Sequence, residues 1–264
     1  MNKILVPVDF SENSMNALDY AIRLFKDDPL EVVVLTTYEA STNAFYVKSI
    51  DRVLEEGAQD DMDRMIKKMT KEYPGVNFTS KIVKGNAVSV ITSMGNSGEY
   101  DYIVMGTKGA SGLKKVFIGS VAGGVIARTT AAVLVVPTGF TFQSFDKIVY
   151  AVGSTNYTDD TVLSPLRKMA EICKAKIDVL HVTDEEAPDL SRQLAPIEDL
   201  SPSVTYLTSE DNVSEGLKDY MSKQNAAMLC LVRTKKGFLG KIFNESVTLR
   251  QTFDSAVPLL VLHN

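Results

Sequence analysis

Short apolar runs recur through the first half of the chain and alternate with longer segments in which apolar and polar residues mix. Nearly every residue of each run is aliphatic or β-branched, as in parallel strands that are buried on both faces. We therefore predict five strands in this half, at residues 4–8, 32–37, 79–83, 102–105 and 133–136.

The segments between these strands carry apolar residues every three or four positions, which is the spacing of one helix face. The first such stripe follows the capping candidates Ser11 and Asn13 and comprises Met15, Leu18, Ile22 and Phe25. The second stripe ends before Pro74 and comprises Ile50, Leu54, Ala58, Met62, Met65 and Met69. Methionines at this spacing favour core packing over a promiscuous binding groove. This alternation predicts an α/β fold, with an open parallel sheet and helices on both of its faces.

The second half of the chain repeats the strand pattern of the first. Three segments return along the chain: 3–11 at 147–155, 102–108 at 228–235, and 132–137 at 257–262. We therefore predict two copies of one domain, residues 1–140 and 145–264, each with a five-stranded sheet. The joint between them, residues 138–146, is short, and its aromatic residues predict that it packs against the domains.

Composition and charge exclude several classes of protein. The net charge of −5 and the pI near 5.2 argue against a nucleic-acid binder, whose phosphate contacts need a basic face. No run approaches the ~20 uninterrupted apolar residues of a membrane-spanning helix. The N-terminus leads directly into the first predicted strand, without the regions of a signal peptide. Cys173 and Cys230 lack a C-x-x-C spacing, so we interpret them as buried free thiols and predict a cytoplasmic protein.

A glycine-rich segment, residues 106–121, follows the fourth predicted strand and opens a helix. Glycines allow the backbone to approach a ligand closely, and a helix start adds free N–H donors and the positive end of a dipole. The segment is neither a Walker motif nor a Rossmann fingerprint, because G-x-x-x-x-G-K-[ST] and G-x-G-x-x-G are absent. The pattern therefore predicts a phosphate site at the carboxyl ends of the strands, with turn glycines that bind nothing as the alternative.

The spacing of this segment resembles a family signature. Gly106, Gly109 and, after nine residues, Gly119-Ser120 resemble the G-2x-G-9x-G-[S/T] pattern of ATP-binding universal stress proteins. Residues 4–11, 85–91 and 133–137 are similar to the opening strand, third helix and closing strand of that family, so the resemblance covers nearly the whole chain. It implies a Rossmann-like, adenine nucleotide alpha hydrolase-like fold. It also implies an intramolecular pseudo-dimer in which the last strands of the two copies pair, and it leaves a homodimer open.

The resemblance also implies roles for individual residues in binding ATP, ADP or AMP. The residues that would surround the nucleotide are Pro7, Val8, Asp9, Thr37, Met105, Gly106, Gly109, Gly119, Ser120 and Val121. Asp9 would lie beside the ribose and adenine and could help to hold magnesium, and the alternative is that it only caps the first helix. Lys108, Lys114 and Lys115 would either screen phosphates or remain solvated.

The second copy departs from the signature at most of the positions that would bind phosphate. Asp9 is replaced by Gly153, and the two loop glycines by Arg233 and Lys236. Allowing one deletion, Gly119-Ser120 becomes Glu245-Ser246. A glutamate at the helix start places negative charge where phosphate would bind, so we expect no ATP in this copy. Binding of a smaller anion by the second copy stays open as an alternative. Residues 184–202 of this copy are predicted to be a loop with one short helix.

The sequence contains no catalytic constellation. The two histidines, His181 and His263, have no acidic or cysteine neighbour in sequence, and neither a metal-ligand spacing nor a nucleophile elbow occurs. We therefore expect a non-enzymatic stress-response protein that senses an adenine nucleotide or acts as a scaffold, with a signalling partner that the sequence does not identify. The alternatives are a weak ATPase and a ligand-free scaffold.

Overall fold

A computed structural model describes the chain in eight stretches: residues 1–39, 47–107, 118–152, 161–183, 189–208, 213–224, 226–233 and 257–264. The first half alternates strands and helices in the order β1 Asn2–Pro7, α1 Glu12–Leu24, β2 Leu30–Tyr38, α2 Val47–Glu72, β3 Asn77–Lys84, α3 Ala87–Gly95, β4 Tyr102–Gly106, α4 Ser120–Arg128 and β5 Val133–Val136. All five predicted strands and both predicted helices are present.

The second half follows the same alternation with a reduced middle. Its elements are β6 Lys147–Val152, α5 Ser164–Cys173, β7 Lys176–Thr183, α6 Ser191–Leu194, a 3₁₀ helix Ala195–Leu200, β8 Ser203–Thr208, α7 Val213–Lys223, β9 Leu229–Arg233 and β10 Leu259–His263. The predicted loop thus contains a four-residue helix that continues into a 3₁₀ helix, while its first residues, 184–188, lie outside the described part of the chain.

The strands form one open ten-stranded sheet in the order β3-β2-β1-β4-β5-β10-β9-β6-β7-β8. Pairing is parallel within each half and antiparallel between β5 and β10, where Leu134 lies opposite Leu260. The last strands of the two halves therefore pair, as expected, and join the two predicted five-stranded sheets edge to edge. Each half has the same strand order, although the domain boundaries at 140 and 145 stay a prediction.

Alternate residues of each strand enter opposite core layers. Ile4 and Val6 pack on the face covered by α1, α2 and α5, whereas Leu5 packs on the face covered by α3, α4 and α7. Side chains from both halves share each layer. Burying one such aliphatic side chain contributes about 1.5–3 kcal/mol, so these layers stabilise the sheet across the junction as well as within each half.

The methionine stripe of α2 packs into the core only along its second part. Met62, Met65 and Met69 are buried against the sheet, which confirms the interpretation as core packing. Leu54, about two turns before Met62, is 38% exposed, and its neighbour Val53 is 67% exposed. The apolar spacing of the stripe therefore continues beyond the buried part of the helix.

The cysteines are free thiols, as predicted, but they differ in burial. Cys230 is buried in β9. Cys173, at the end of α5, is half-buried and packs against apolar core residues. Burial raises the pKa of Cys173 to about 12, so the thiolate is suppressed at neutral pH.

Candidate functional site

The predicted site residues lie at the carboxyl ends of three adjacent strands, β2, β1 and β4. Pro7 ends β1, Gly106 ends β4, and Thr37 is the second-last residue of β2. In the sheet, β2 lies on one side of β1 and β4 lies on the other, so the strand order changes direction at β1. The carboxyl ends of these strands therefore form a topological switch point. Open α/β sheets bind their ligands in the crevice at such a point.

The side chains at this edge differ in exposure. Val8 and Met105 are each 5% exposed and belong to opposite core layers, while Pro7 and Thr37 are half-buried. Asp9 is exposed. The edge therefore places the exposed carboxylate of Asp9 near two almost fully buried apolar side chains.

Asp9 organises the turn that starts α1. Its Oδ1 accepts hydrogen bonds from the backbone N–H of Ser11 at 3.1 Å and from the Ser11 hydroxyl at 2.5 Å. Ser11 is the N-cap, because its Oγ accepts from the N–H of Ser14 at 3.3 Å. Asp9 thus supports the capping residue instead of capping the helix itself, and Asn13 lies inside the first turn. Phe10 between them has a φ of +59°, a conformation that is uncommon for a residue with a β-carbon.

Thr36 joins the ends of β1 and β2 and was not among the predicted site residues. Its buried hydroxyl donates to the carbonyl of Val8 at 2.9 Å, and the N–H of Val8 donates to the carbonyl of Leu35 at 2.8 Å. The signal was a hydroxyl within an otherwise aliphatic run, at Thr36 as well as Thr37. These two hydrogen bonds hold the backbone in place at the base of the candidate site.

Gly106 is required by close helix packing. A β-carbon at this position would lie 2.9 Å from the carbonyl oxygen of Asn13 in the first turn of α1. The next residue, Thr107, is buried and donates its N–H to the carbonyl of Val136 at 3.1 Å. The Thr107 carbonyl accepts the N–H of Gly119, so the two ends of the glycine-rich segment meet.

The start of α4 presents backbone donors at this edge. Gly119 is its N-cap, with a φ of −58°, and the exposed residues Ser120 and Val121 begin the first turn. The first N–H groups of a helix have no acceptor within the helix, and they form the positive end of its dipole. This turn, Ser-Val-Ala-Gly, carries no acidic side chain that would compete with an anion. Gly109, Lys108, Lys114 and Lys115 lie outside the described residues.

The corresponding edge of the second half is built similarly but carries different chemistry. His181 Nδ1 lies 2.9 Å from the carbonyl of Val152, the counterpart of the Thr36–Val8 contact, and the His181 ring packs edge-on against Tyr206. In the strand register Val232 is the counterpart of Gly106 and Arg233 that of Thr107, because Leu229 donates to Pro258 as Ile103 donates to Ala132. The predicted replacement of Gly106 by Arg233 is therefore wrong by one residue. Gly153 and the residues 235–246 that replace the glycine-rich signature lie outside the described part of the chain.

His263, the other histidine, lies at the seam between the halves. Its Nε2 is 2.9 Å from the carbonyl of Ile126 near the end of α4. Burial lowers the pKa of His263, and the positive charge of Arg233 lowers it further. A neutral imidazole at this position therefore links β10 to the first half.

Two further properties concern only the residues that the structure describes. Within those stretches, histidine, cysteine, aspartate and glutamate side chains do not gather in groups of three that could hold a metal ion. Among the described helices, none has the length and apolarity needed to cross a membrane.

Comparison with known proteins identifies the family. Residues 1–137 match the sequence profile described as Usp, the universal stress protein family. The chain belongs to the universal stress protein family. It is 32% identical over 139 residues to a universal stress protein of Methanocaldococcus jannaschii, across 51% of this chain and 81% of that protein. It is 30% identical over 145 residues to universal stress protein YxiE of Bacillus subtilis, across 51% and 98%.

A solved structure extends the likeness of the fold to the whole chain. The crystal structure of a universal stress protein from Archaeoglobus fulgidus superposes with a TM-score of 0.74 and 21% identity, and covers 100% of this chain and 96% of that one. At this identity the likeness concerns the fold, which is an open, mostly parallel α/β sheet with helices on both faces. The sequence profile itself matches the first half of this universal stress protein.

Proposed function

We propose that the first half of this universal stress protein binds an adenine nucleotide, ATP, ADP or AMP, at the edge formed by β2, β1 and β4. One observation carries the proposal: Gly106 and Gly119, the ends of the signature segment, lie together beside the switch point of the sheet, where α4 presents free N–H groups. Phosphates would bind to the backbone N–H groups of Ser120 and Val121 and to the Ser120 hydroxyl, while Gly119, whose own N–H donates to Thr107, would hold the segment closed beside them.

The remaining predicted residues would hold the nucleoside. Val8 and Met105 would line its apolar side, with Pro7 beside them, and the backbone of Thr37 would meet the adenine edge. Gly106 and Gly109 would let the chain pass close to the ribose and phosphates. Asp9 keeps an exposed carboxylate while it holds Ser11, so it could bind a ribose hydroxyl or a magnesium ion that accompanies the phosphates.

We further propose that residues 145–264 are a degenerate copy of the same domain, so that the chain is a tandem universal stress protein. The repeated strand order and the counterpart contacts of Thr36 and His181 support this proposal. Val232, the counterpart of Gly106 in β9, carries a side chain where the first half has bare backbone, and Arg233 stands in place of Thr107. The second copy would therefore bind no ATP in this mode and would serve as an interaction domain.

The biochemical role that fits this asymmetry is that of a cytoplasmic stress-response sensor or scaffold, not an enzyme. The nucleotide would stabilise the first half and its contacts. An unidentified partner or a second copy of the chain would then recognise the nucleotide-bound form. Two alternatives make different predictions. A weak ATPase would release phosphate in an Asp9-dependent way, and a ligand-free scaffold would purify without nucleotide.

A thermal unfolding experiment with two glycine variants tests the proposal. Millimolar ATP should raise the melting temperature of the wild-type chain. Gly119→Glu places a carboxylate at the start of α4 in a backbone conformation that glutamate adopts easily, so this variant should fold without responding to ATP. Gly75→Glu, which adds the same charge at an open turn with no atom within 4 Å of the new β-carbon, should respond like wild type. An unresponsive wild-type protein would refute the proposal.

A further inference from the structure

The joint between the two halves, residues 138–146, is bound along one side of α1. Asn16 donates its Nδ2 to the carbonyl of Phe140 at 3.2 Å. One turn later the ring of Tyr20 packs against the rings of Phe140 and Phe142, with centroids 6.0 and 5.5 Å apart. Asn16 and Tyr20 are four positions apart and therefore share one helix face. The middle of α1 thus holds the joint in place.

The same helix begins at the candidate nucleotide site. Its cap, Ser11, is held by Asp9, and its first turn contacts β4 where Asn13 lies against Gly106. Asn13 and Asn16 are three positions apart, so they too lie on neighbouring parts of one face. A single turn of helix therefore separates the contact with the site from the contact with the joint.

A second connection runs through Thr107. Its carbonyl accepts the N–H of Gly119 and so closes the glycine-rich segment at its base. Its hydroxyl lies 3.4 Å from the hydroxyl of Thr138, the first residue of the joint. Thr107 is buried whereas Thr138 is exposed, so this bond connects the interior of the site with the surface of the joint.

The far end of the joint enters the second half. The N–H of Lys176 donates to the carbonyl of Asp146 at 2.8 Å, and Phe145 packs against the core layer that α1 and α5 share. Nearby, the hydroxyl of Tyr102 donates to the carbonyl of Pro165 at the start of α5 at 2.7 Å. The joint therefore takes part in the packing between the two halves.

We propose that a nucleotide bound in the first half stabilises the joint, so that occupancy of the site determines how firmly the two halves are held together. This inference rests on the proposed function. Opening of the joint would release Asn16 and Thr107, and both belong to elements that form the site. A ligand that binds only the closed form reduces the open population by the factor 1 + [L]/Kd, which is about 100 at a hundredfold excess of ligand.

Hydrogen exchange on the full-length chain, followed by mass spectrometry, tests this coupling. With magnesium and ATP at a hundredfold excess over the measured Kd, the amides of residues 138–146 should exchange more slowly, by up to about 100-fold. Asn16→Ala and Thr138→Val remove the two connections outside the nucleotide site. In these variants we expect ATP to bind and the joint to exchange faster, with a reduced response to ATP. Arg52→Ala, an exposed change on α2 that removes the ion pair with Glu56, should behave like wild type.

Calorimetry on the same samples separates the two ways in which the account can fail. If ATP binds and exchange in the joint does not change, the coupling is refuted and the proposed function stands. If ATP does not bind, both are refuted. If the double variant Asn16→Ala/Thr138→Val keeps the full response, the route through these two residues is wrong.

Discussion

Gly106 lies so close to the first turn of α1 that a β-carbon there would stand 2.9 Å from the carbonyl oxygen of Asn13. The contact is with backbone, which cannot rotate away as the end of a side chain can. The glycine that heads the nucleotide signature is therefore also a packing requirement of the fold. Its presence alone does not demonstrate a ligand, and tests of binding must separate the two roles.

Gly106→Ala should destabilise the first half. We expect a loss of about 1–3 kcal/mol in the free energy of unfolding, because α1 must shift to admit the methyl group. Urea denaturation measures this change. Gly75→Ala, at an open turn, is the matched control and should stay within about 0.5 kcal/mol of wild type. Equal stability of the two variants would show that the helix yields without cost.

Asp9 should make two separable contributions. Asp9→Ala removes the acceptor that holds Ser11 and should cost about 0.5–1.5 kcal/mol of stability, because the start of α1 loses its support. Asp9→Asn keeps an oxygen acceptor and should stay within about 0.5 kcal/mol of wild type. Denaturation measures both variants.

Binding of magnesium and ATP should distinguish the charge of Asp9 from its structural role. If the carboxylate holds the ion, Asp9→Asn should weaken binding of ATP in the presence of magnesium more than binding of AMP. Titration calorimetry with the two nucleotides provides the comparison. Equal losses for both would assign Asp9 to the nucleoside and not to the metal.

The stability of the protein should fall as the pH drops below about 6.5, the ordinary pKa of histidine. Burial lowers the pKa of His263 in the folded state, so the unfolded chain binds a proton first and acid favours unfolding. The contribution is fully present above the unfolded pKa and is lost as the pH falls toward the folded one. Arg233 strengthens the effect because a second positive charge beside it is unfavourable.

His263→Gln provides the comparison for this pH dependence. Unfolding free energies at about pH 7.5 and about pH 5.5 should fall more for wild type than for the variant, since glutamine does not titrate. The control for general acid effects is the variant itself, which keeps every other titratable group. Parallel losses in the two proteins would exclude His263 as the source.

The sequence predicted the features that depend on local periodicity. The strands and α1 followed from their apolar spacing, and the pairing of β5 with β10 followed from the repeat and the family resemblance. The spacing of α2 identified the apolar face but not its burial, because Leu54 and Met65, eleven positions apart, lie on nearly the same side of the helix. Only the extent of the sheet beneath the helix decides which of them is covered.

The connections around the site could not be read from the sequence. The Thr36–Val8 and Thr107–Thr138 hydrogen bonds join residues 28 and 31 positions apart, and neither pair forms a motif. The role of Asp9 was foreseen as a choice between ligand and cap. The structure replaces the cap alternative with a different contact, in which Asp9 holds the capping residue Ser11 and its carboxylate stays exposed. The role of Asp9 toward a ligand stays a prediction. Such contacts depend on how strands and helices meet in three dimensions.

The most direct test of the central claim is the stoichiometry of ATP binding. We expect titration calorimetry of the full chain to give one site per chain and Gly119→Glu to abolish it. The first half joins bare backbone at the end of β4 to an uncharged start of α4, whereas the second-half sequence has Glu245 at the position of Gly119. Two sites per chain would contradict the proposed asymmetry. Absence of binding, or undiminished binding by Gly119→Glu, would contradict the site itself.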